Sequence, residues 1–408
     1  MGNGRRRLVI GAAMACLVAA AMPAARATVS PLVRGARVGF WAGETNTSCS
    51  SIDPSFCPRD LSAYTPAVWD ALATEHGSLF MDLVYQADFG PVPPGLPQRT
   101  DGLSLVQTAN SRGIAVSAWL TVPLAYGTFA NEQNAQVIQD AVRAFYEWTQ
   151  VHGVHVQEAV LDLEFPLGDQ AVAQAAAGNI TGLQSLLRAN IDPAGQCRAM
   201  ATYRDTISWA HHHGMRLTGT PVPFALDDLA DGNLGLQDAL DIAAFPPSGY
   251  DELYLQAYRA FGVDLGSDYV SQYYADMQRT FGPLGQVSLG NTGVPPYDQL
   301  GAVVNDVRML SALGATDIPI FDLDGAVKTY GAAGISAIVR AGHDPVDASQ
   351  LAAMTMPSTF GTGARQLFAT LNQTANALTL AVTATQGTPR APNTYPNGCG
   401  NLVADPLS

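Results

Sequence analysis

The chain has 408 residues and a formal net charge of −14, with 47% hydrophobic and only 14% charged residues. Low charge and abundant apolar residues fit a large packed core. The net acidity argues against nucleic acid and anionic membranes as partners, and the acids are scattered along the chain rather than gathered in an acidic tail.

Arg5, Arg6 and Arg7 precede a nearly unbroken apolar run, Leu8–Met22, and Ala25-Arg26-Ala27 places small residues where a signal peptidase reads. Residues 1–27 are therefore expected to be a secretory signal and the protein to be exported, extracellular or periplasmic. The order Arg6-Arg7-Leu8-Val9 admits the general and the twin-arginine routes alike. Ala13 stands where a lipobox prefers Leu or Val, which speaks against Cys16 as a lipid anchor. Cleavage would remove four arginines and no acid, leaving 17 basic against 35 acidic residues and a charge of about −18. No later apolar run is long enough to span a bilayer. The cysteines that remain are Cys49, Cys57, Cys197 and Cys399. An even count in an exported chain favours disulfides. Cys49 and Cys57 share a Ser/Pro-rich loop and are expected to pair, which leaves Cys197 to tie Cys399 and the tail to the middle of the chain. Zinc is the competing reading, but there is no C-x-x-C pair.

From residue 28 onward one phrase recurs: a helical stretch, a glycine, then a β-rich apolar run. Arg37–Trp41 is the first strand. Gly77 leads into Ser78–Tyr85 and Gly113 into Ile114–Val122. A helix over Asn134–Gln150 follows, with Asn134 placed to cap it and Val137, Ile138, Val142, Phe145 and Trp148 on a helical period. Gly153 leads into Val154–Phe165, a helix spans Ala201–His212, and Gly214 leads into Met215–Val222. Glu252–Tyr258 comes next. Gly285 precedes Gln286–Gly290, a helix spans Tyr297–Leu313, and Gly314 precedes Ile318–Leu323. Glycine suits a helix end because the next residue often needs a left-handed backbone. The strands are continuous rather than alternating, as when helices cover a parallel sheet. Eight strand–helix units predict an α/β fold, a closed (β/α)₈ TIM barrel over residues 28–345. Residues 346–408 are read as a C-terminal extension packed on it. A dinucleotide-binding alternative lacks G-x-G-x-x-G after the first strand.

Barrels of this kind carry their chemistry at the carboxyl ends of the strands. There the sequence offers Trp41 and Glu44 on strand 1, and Asp82 and Tyr85 on strand 2, with Gln86 and Asp88 beyond. Strand 3 offers Trp119 and Thr121; strand 5 leads into Pro221, Asp227 and Asp228. Gln256, Tyr258 and Arg259 close strand 6, Asn291 ends strand 7, and Asp322 and Asp324 stand on strand 8. Val160-Leu161-Asp162-Leu163-Glu164-Phe165 on strand 4 is the sharpest feature. Asp162 and Glu164 alternate, so both face one way while Leu161 and Leu163 face the helices. An inward carboxylate pair is costly unless it is used or partnered. Two close carboxyls hold their proton affinities apart, so one stays protonated as an acid, which is what glycoside hydrolysis needs. The bland reading pairs them with Arg259 or Tyr258. Trp41 and Trp119 either stack on sugar rings or fill the core. Asp322 and Asp324, on one face, are candidates for a second carboxylate or for substrate hydroxyls. Asp227, Asp228 and Asp231 lack the ligand spacing of a Ca²⁺ loop and read as a solvated acidic loop. His211, His212 and His213 precede a strand at its amino end, the wrong face for chemistry. No G-x-S-x-G elbow is present.

Asp162-Leu163-Glu164 resembles the end of the D-x-x-D-x-D-x-E motif of family 18 glycoside hydrolases, the chitinase-like barrels. Gln256-Ala257-Tyr258 resembles their strand-6 segment, and Phe40-Trp41 is similar to their first strand. The resemblance implies that Glu164 protonates the glycosidic oxygen. It implies that Asp162 orients a substrate N-acetyl group and that Tyr258 hydrogen-bonds it, with no cofactor. The chain departs from that pattern at Gln157 and Val160, where the motif has aspartates. It departs again at Arg259, where an acid is usual, and at Phe321, where the family places a tryptophan. Strand 4 is also similar to the D-x-E pairs of family 25 lysozyme-type barrels, but those begin with an aspartate on strand 1, where this chain has Gly39-Phe40-Trp41.

The expected function is a secreted glycoside hydrolase, monomeric, acting on an oligo- or polysaccharide without cofactor, nucleic-acid partner or membrane attachment after signal cleavage. Trp41, Glu44, Asp82, Tyr85, Trp119, Gln256, Arg259, Asn291, Asp322 and Asp324 are its expected substrate contacts. Two other readings compete. One is a catalytically silent barrel that binds glycans through Trp41 and Trp119. The other is a metal-assisted hydrolase using Asp82, Asp162, Glu164 and Asp322, against which the lack of pocket histidines speaks.

Overall fold

The computed structural model describes residues 35–43, 53–166, 185, 188–230, 234–242, 249–260 and 264–385. The expected signal, residues 1–27, lies outside them, as do Glu44, Cys49, Asp231 and Cys399. The sheet is a closed barrel of eight parallel strands in sequence order: β1 (Arg37–Ala42), β2 (Ser78–Val84), β3 (Ala115–Thr121), β4 (Ala159–Leu163), β5 (Leu217–Pro221), β6 (Glu252–Gln256), β7 (Gly285–Gly290) and β8 (Asp317–Phe321). β8 closes onto β1 through Arg37 opposite Asp317 and Phe40 opposite Ile320. Each expected strand is present. The fourth is the most shortened, because Val154–Gln157 run below the barrel, where His155 exchanges hydrogen bonds with Asn110.

The intervening helices are α1 (Pro66–Thr74), α2 (Asp101–Ser111), α3 (Ala135–His152), α4 (Pro193–His212), α5 (Pro223–Ala230), α6 (Gly235–Ala239), α7 (Ser267–Phe281), α8 (Leu300–Leu313) and α9 (Leu323–Ala341). α3 buries Ile138, Val142, Phe145 and Trp148, the periodic residues of the sequence, and ends at Gly153, whose φ of 59° is left-handed. Asn134 stands at its N-cap position but its side chain does not cap. It is spent on the preceding loop instead: Oδ1 accepts from the Asn131 amide, and Nδ2 donates to the Tyr126 and Phe129 carbonyls. After the barrel come α10 (Ala348–Met354) and α11 (Thr359–Thr385). α11 lies against α5, α6 and α7. Arg365 fastens it there, 4.0 Å over the Tyr273 ring and paired with Asp276 at 2.7 Å. No described helix is long and apolar enough to cross a membrane.

Two apolar clusters follow from strand alternation. The larger joins the outward faces of the strands to the helices, with Phe40, Leu79, Leu161 and Leu255 among its members. The smaller consists of Trp41, Phe80, Trp119, Val160 and Tyr254. Phe80 of β2 meets Tyr254 of β6 with ring centroids 5.5 Å apart, across the barrel, so this cluster fills the interior. Burying each such side chain contributes about 1.5–3 kcal/mol. Below the plug, at the amino ends of the strands, Glu158 accepts from Ser117 and Thr218. Arg37, paired with Asp317, lies 3.8 Å from Glu158. The amino-terminal end of the barrel interior is thus closed by paired polar groups.

Candidate active site

Asp162 points inward from β4, and Glu164 follows just past the strand's end. Gln256, at the end of β6, reaches across to both: its Nε2 lies 2.7 Å from Asp162 Oδ1 and 2.7 Å from Glu164 Oε1. The Thr220 hydroxyl of β5 donates to Asp162 Oδ1 at 3.0 Å. Burial raises the proton affinity of both. For Asp162 the charge of Glu164 adds to burial and pushes it well above the usual carboxylate range. For Glu164 the bonds from Gln256 and Asp162 oppose burial, and the shift stays upward. Such a pair resists losing both protons, since two carboxyls ionise with difficulty side by side in a dry site. Asp162 is buried, whereas Glu164 is partly exposed.

Tyr258 shares the inward face with Gln256. Burial, then the charges of Asp162 and Glu164, hold its hydroxyl well above its ordinary value, and it bonds to Ser288. Its ring rests on Gly290, where a Cβ would come within 2.9 Å of it, and stacks on Phe321 at 5.9 Å and 25°. Asp82 points inward from β2 and accepts from the Thr121 hydroxyl at 2.7 Å. Burial outweighs Arg59 and Arg99 and pushes Asp82 up to about 6. Asp162, Glu164, Gln256, Tyr258 and Asp82 thus all belong to the inner face of the carboxyl-terminal end.

Several expected contacts lie elsewhere. Trp41 is 2% exposed and donates from Nε1 to Ser288 Oγ at 3.1 Å, so it is core. Trp119 is 6% exposed, stacked on Phe129 and packed edge-on against Trp41. Neither presents a face to a sugar, which removes the two platforms on which a silent glycan-binding barrel rested. Tyr85 lies three residues from Asp82 and so on the opposite, outer face, packed on Phe89. Arg259 follows Tyr258 and is likewise outward, held by Asp306 at 3.1 Å and by Ser267, so it does not neutralise the carboxyl pair. Gln256 is committed to the carboxyls rather than free for substrate. Asn291 donates to the Ala260 carbonyl at 3.4 Å. Asp322 and Asp324 do not share a strand face, because β8 ends at Phe321. Asp322 caps α9, accepting from the Gly325 amide, and Asp324 lies in the first helical turn. Burial, then the charge of Asp322, raises Asp324 to about 6. Asp227 and Asp228 form part of α5 rather than a loop. Asp228 is buried and accepts the Leu236 and Gln237 amides at the start of α6, and Asp227 accepts the Tyr273 hydroxyl. Asp88 is clasped by Arg59 and Arg99. The three histidines end α4 on the amino-terminal side, exposed, with His211 2.9 Å from Asp251.

Thr220, Ser288 and Gly290 were not singled out in the sequence, and Phe321 only as a departure from the family pattern; β pairing places Thr220 opposite Asp162, Ser288 opposite Gln256 and Gly290 opposite Phe321. Among the described residues, no three His, Cys, Asp or Glu side chains converge as a metal-holding group. The disulfide pairings involve Cys49 and Cys399, which lie outside the described residues.

No protein-family model and no curated protein matches the chain. Solved structures of similar fold include the PgaB (BpsB) glycoside hydrolase domain of Bordetella bronchiseptica, at 13% identity over 74% of this chain and 98% of that one, TM-score 0.44. A chitinase from Chromobacterium violaceum aligns at 12% identity over 76% and 100%, TM-score 0.45. An HMG-CoA lyase from Brucella melitensis aligns at 11% over 81% and 99%, TM-score 0.39. These likenesses are of barrel architecture, a fold that hosts many chemistries, so the function rests on the site.

Proposed function

We propose that this barrel is a secreted glycoside hydrolase in which Glu164 is the general acid. The observation that carries the reading is the Asp162–Glu164 pair, held by one amide nitrogen at the carboxyl end of β4 with both proton affinities raised. A carboxyl of raised proton affinity, partly exposed and beside a buried partner, is what protonation of a glycosidic oxygen requires. As the bond breaks, Glu164 gives its proton to the leaving oxygen and becomes a carboxylate. Positive charge builds at the sugar, and the negative charge of Asp162 stabilises it. Asp322 is spent on capping α9, so the nucleophile is left to a group on the substrate, which Asp162 and Tyr258 would orient. This fits an amino-sugar glycan. Asp82, inward and raised to about 6, is assigned to a substrate hydroxyl. We further propose export through residues 1–27, disulfides Cys49–Cys57 and Cys197–Cys399, and action as a monomer.

The test is turnover of chitin, peptidoglycan and neutral oligosaccharides by wild type and Glu164→Gln, which keeps the shape and removes the acid. Cleavage by wild type with a loss of ~10²-fold or more in the variant supports the reading. Equal turnover by both would refute Glu164 as the acid, and binding of a glycan without turnover by either would refute the enzyme.

A further inference from the structure

The residue that decides where the proton of the carboxyl pair sits is neither of the carboxyls. Gln256 Nε2 lies 2.7 Å from Asp162 Oδ1 and 2.7 Å from Glu164 Oε1. An amide nitrogen has two hydrogens and accepts nothing, so each contact makes the facing oxygen an acceptor. The amide cannot be turned over without penalty. The same nitrogen lies 3.3 Å from the Thr220 carbonyl, which only accepts, and an amide oxygen there would face three acceptors. Asp162 Oδ1 also receives the Thr220 hydroxyl at 3.0 Å and is thereby filled by two donors.

We propose that Gln256 is a positioning residue: by donating one hydrogen to each carboxyl it reserves Asp162 Oδ1 and Glu164 Oε1 as acceptors and leaves Asp162 Oδ2 and Glu164 Oε2 as the oxygens that can carry a proton. Gln256 is itself rigid. It is 7% exposed and belongs to β6, paired opposite Ser288 of β7. Two consequences follow. A proton on Glu164 is then carried by Oε2, the oxygen that Gln256 leaves free, so the acid is already oriented. The two donated bonds also favour the ionised form and oppose the burial that would otherwise load the pair with a second proton. Both bonds act in that direction on Asp162 and on Glu164. The pair therefore takes up a second proton less readily than burial alone would have it. Arg259 plays no part, being turned outward onto Asp306, and Tyr258 faces the pair as a neutral hydroxyl.

The catalytic consequence rests on the glycosidase reading; the proton placement does not, and the test separates them. Gln256→Met keeps the length and removes both donors, and Gln256→Leu is a second apolar variant. Carboxyl protonation is followed by infrared difference spectroscopy of ¹³C-labelled protein across pH. Loss of a donor to a charged carboxyl is expected to move uptake of the second proton upward by about one pH unit or more, a tenfold change in proton affinity. Thr220→Val should move it in the same direction by less. The acidic limb of the pH–rate profile should move with it, with KM within about twofold of wild type. An unmoved titration in both Gln256 variants would overturn the proposal, as would a raised KM with an unmoved acidic limb, the mark of a substrate contact. If wild type turns over no glycan, the glycosidase reading fails while the titration still judges the placement of the proton.

Discussion

Replacing Gly290 with alanine tests whether Tyr258 is held by the barrel wall as described. Gly290 has no positive φ, so its backbone would accept a side chain; what it lacks is room. A Cβ there would stand 2.9, 3.0 and 3.1 Å from three carbons of the Tyr258 ring. Carbon atoms settle about 3.5–4.0 Å apart, so the ring must retreat by roughly 0.5 Å or more. Phe321 is already stacked on that ring and Ser288 holds its hydroxyl, so the retreat strains packing and a hydrogen bond together. Overpacking of this kind costs about 1–3 kcal/mol. Displacing a group that orients substrate by ~1 Å costs ~10²-fold in rate, so half that displacement should cost roughly tenfold in kcat. Steady-state kinetics and thermal denaturation of Gly290→Ala read both effects. Wild-type kcat together with an unchanged melting temperature would refute the seating of Tyr258 on Gly290 and, with it, the role given to Tyr258.

Two further perturbations probe charges that hold the walls of the site. Asp88 accepts Arg59 at 2.8 Å, Arg99 and the Val84 amide; burial works against its charge, but Arg59 and Arg99 outweigh it and hold the carboxyl below its ordinary value. Its stabilisation is therefore present above the unfolded pKa and lost as pH falls through the lower folded one. Asp88→Asn should cost about 3–5 kcal/mol in urea denaturation at pH 7, and the gap to wild type should narrow below about pH 4; a gap constant in pH contradicts the reading. Glu132, before α3, is raised to about 9 by burial and then by Asp238, Asp241 and Asp192. A raised folded pKa gives stability that is complete below the unfolded value and lost as pH rises through the folded one. The wild type should thus have a lower denaturation midpoint at pH 9 than at pH 5, and Glu132→Gln should shrink the difference; an undiminished difference in the variant rules Glu132 out as its source.

The barrel was legible because six of its eight strands are continuous apolar runs led by a glycine, a signal set by backbone conformation and burial on both faces. Asp162, Glu164, Gln256 and Tyr258 were legible for a related reason, since alternation alone puts each pair on one face. The same rule, applied strictly, separates Tyr85 from Asp82 and Arg259 from Tyr258. Asp322 and Asp324 were misplaced because an aspartate that caps a helix, followed by Leu323, imitates the alternation of a strand. What distinguishes it is Gly325, whose amide the cap accepts three residues on. Trp41 and Trp119 carry no local mark of burial. Their fate is decided by Phe80, Tyr254 and Phe129, which reach them from other parts of the chain. The bridge from Gln256 to the carboxyl pair spans β4 to β6 across β5, and no pattern within one segment announces it.

The central claim is that Glu164 delivers a proton to a leaving group. The most direct measurement compares kcat/KM of wild type and Glu164→Gln on two substrates with the same sugar. One carries a nitrophenolate leaving group, which departs without help, and the other a sugar leaving group, which needs protonation. The account predicts a loss of ~10²-fold or more on the sugar leaving group and a much smaller loss on the nitrophenolate. Equal losses on both substrates, or none on either, would contradict it.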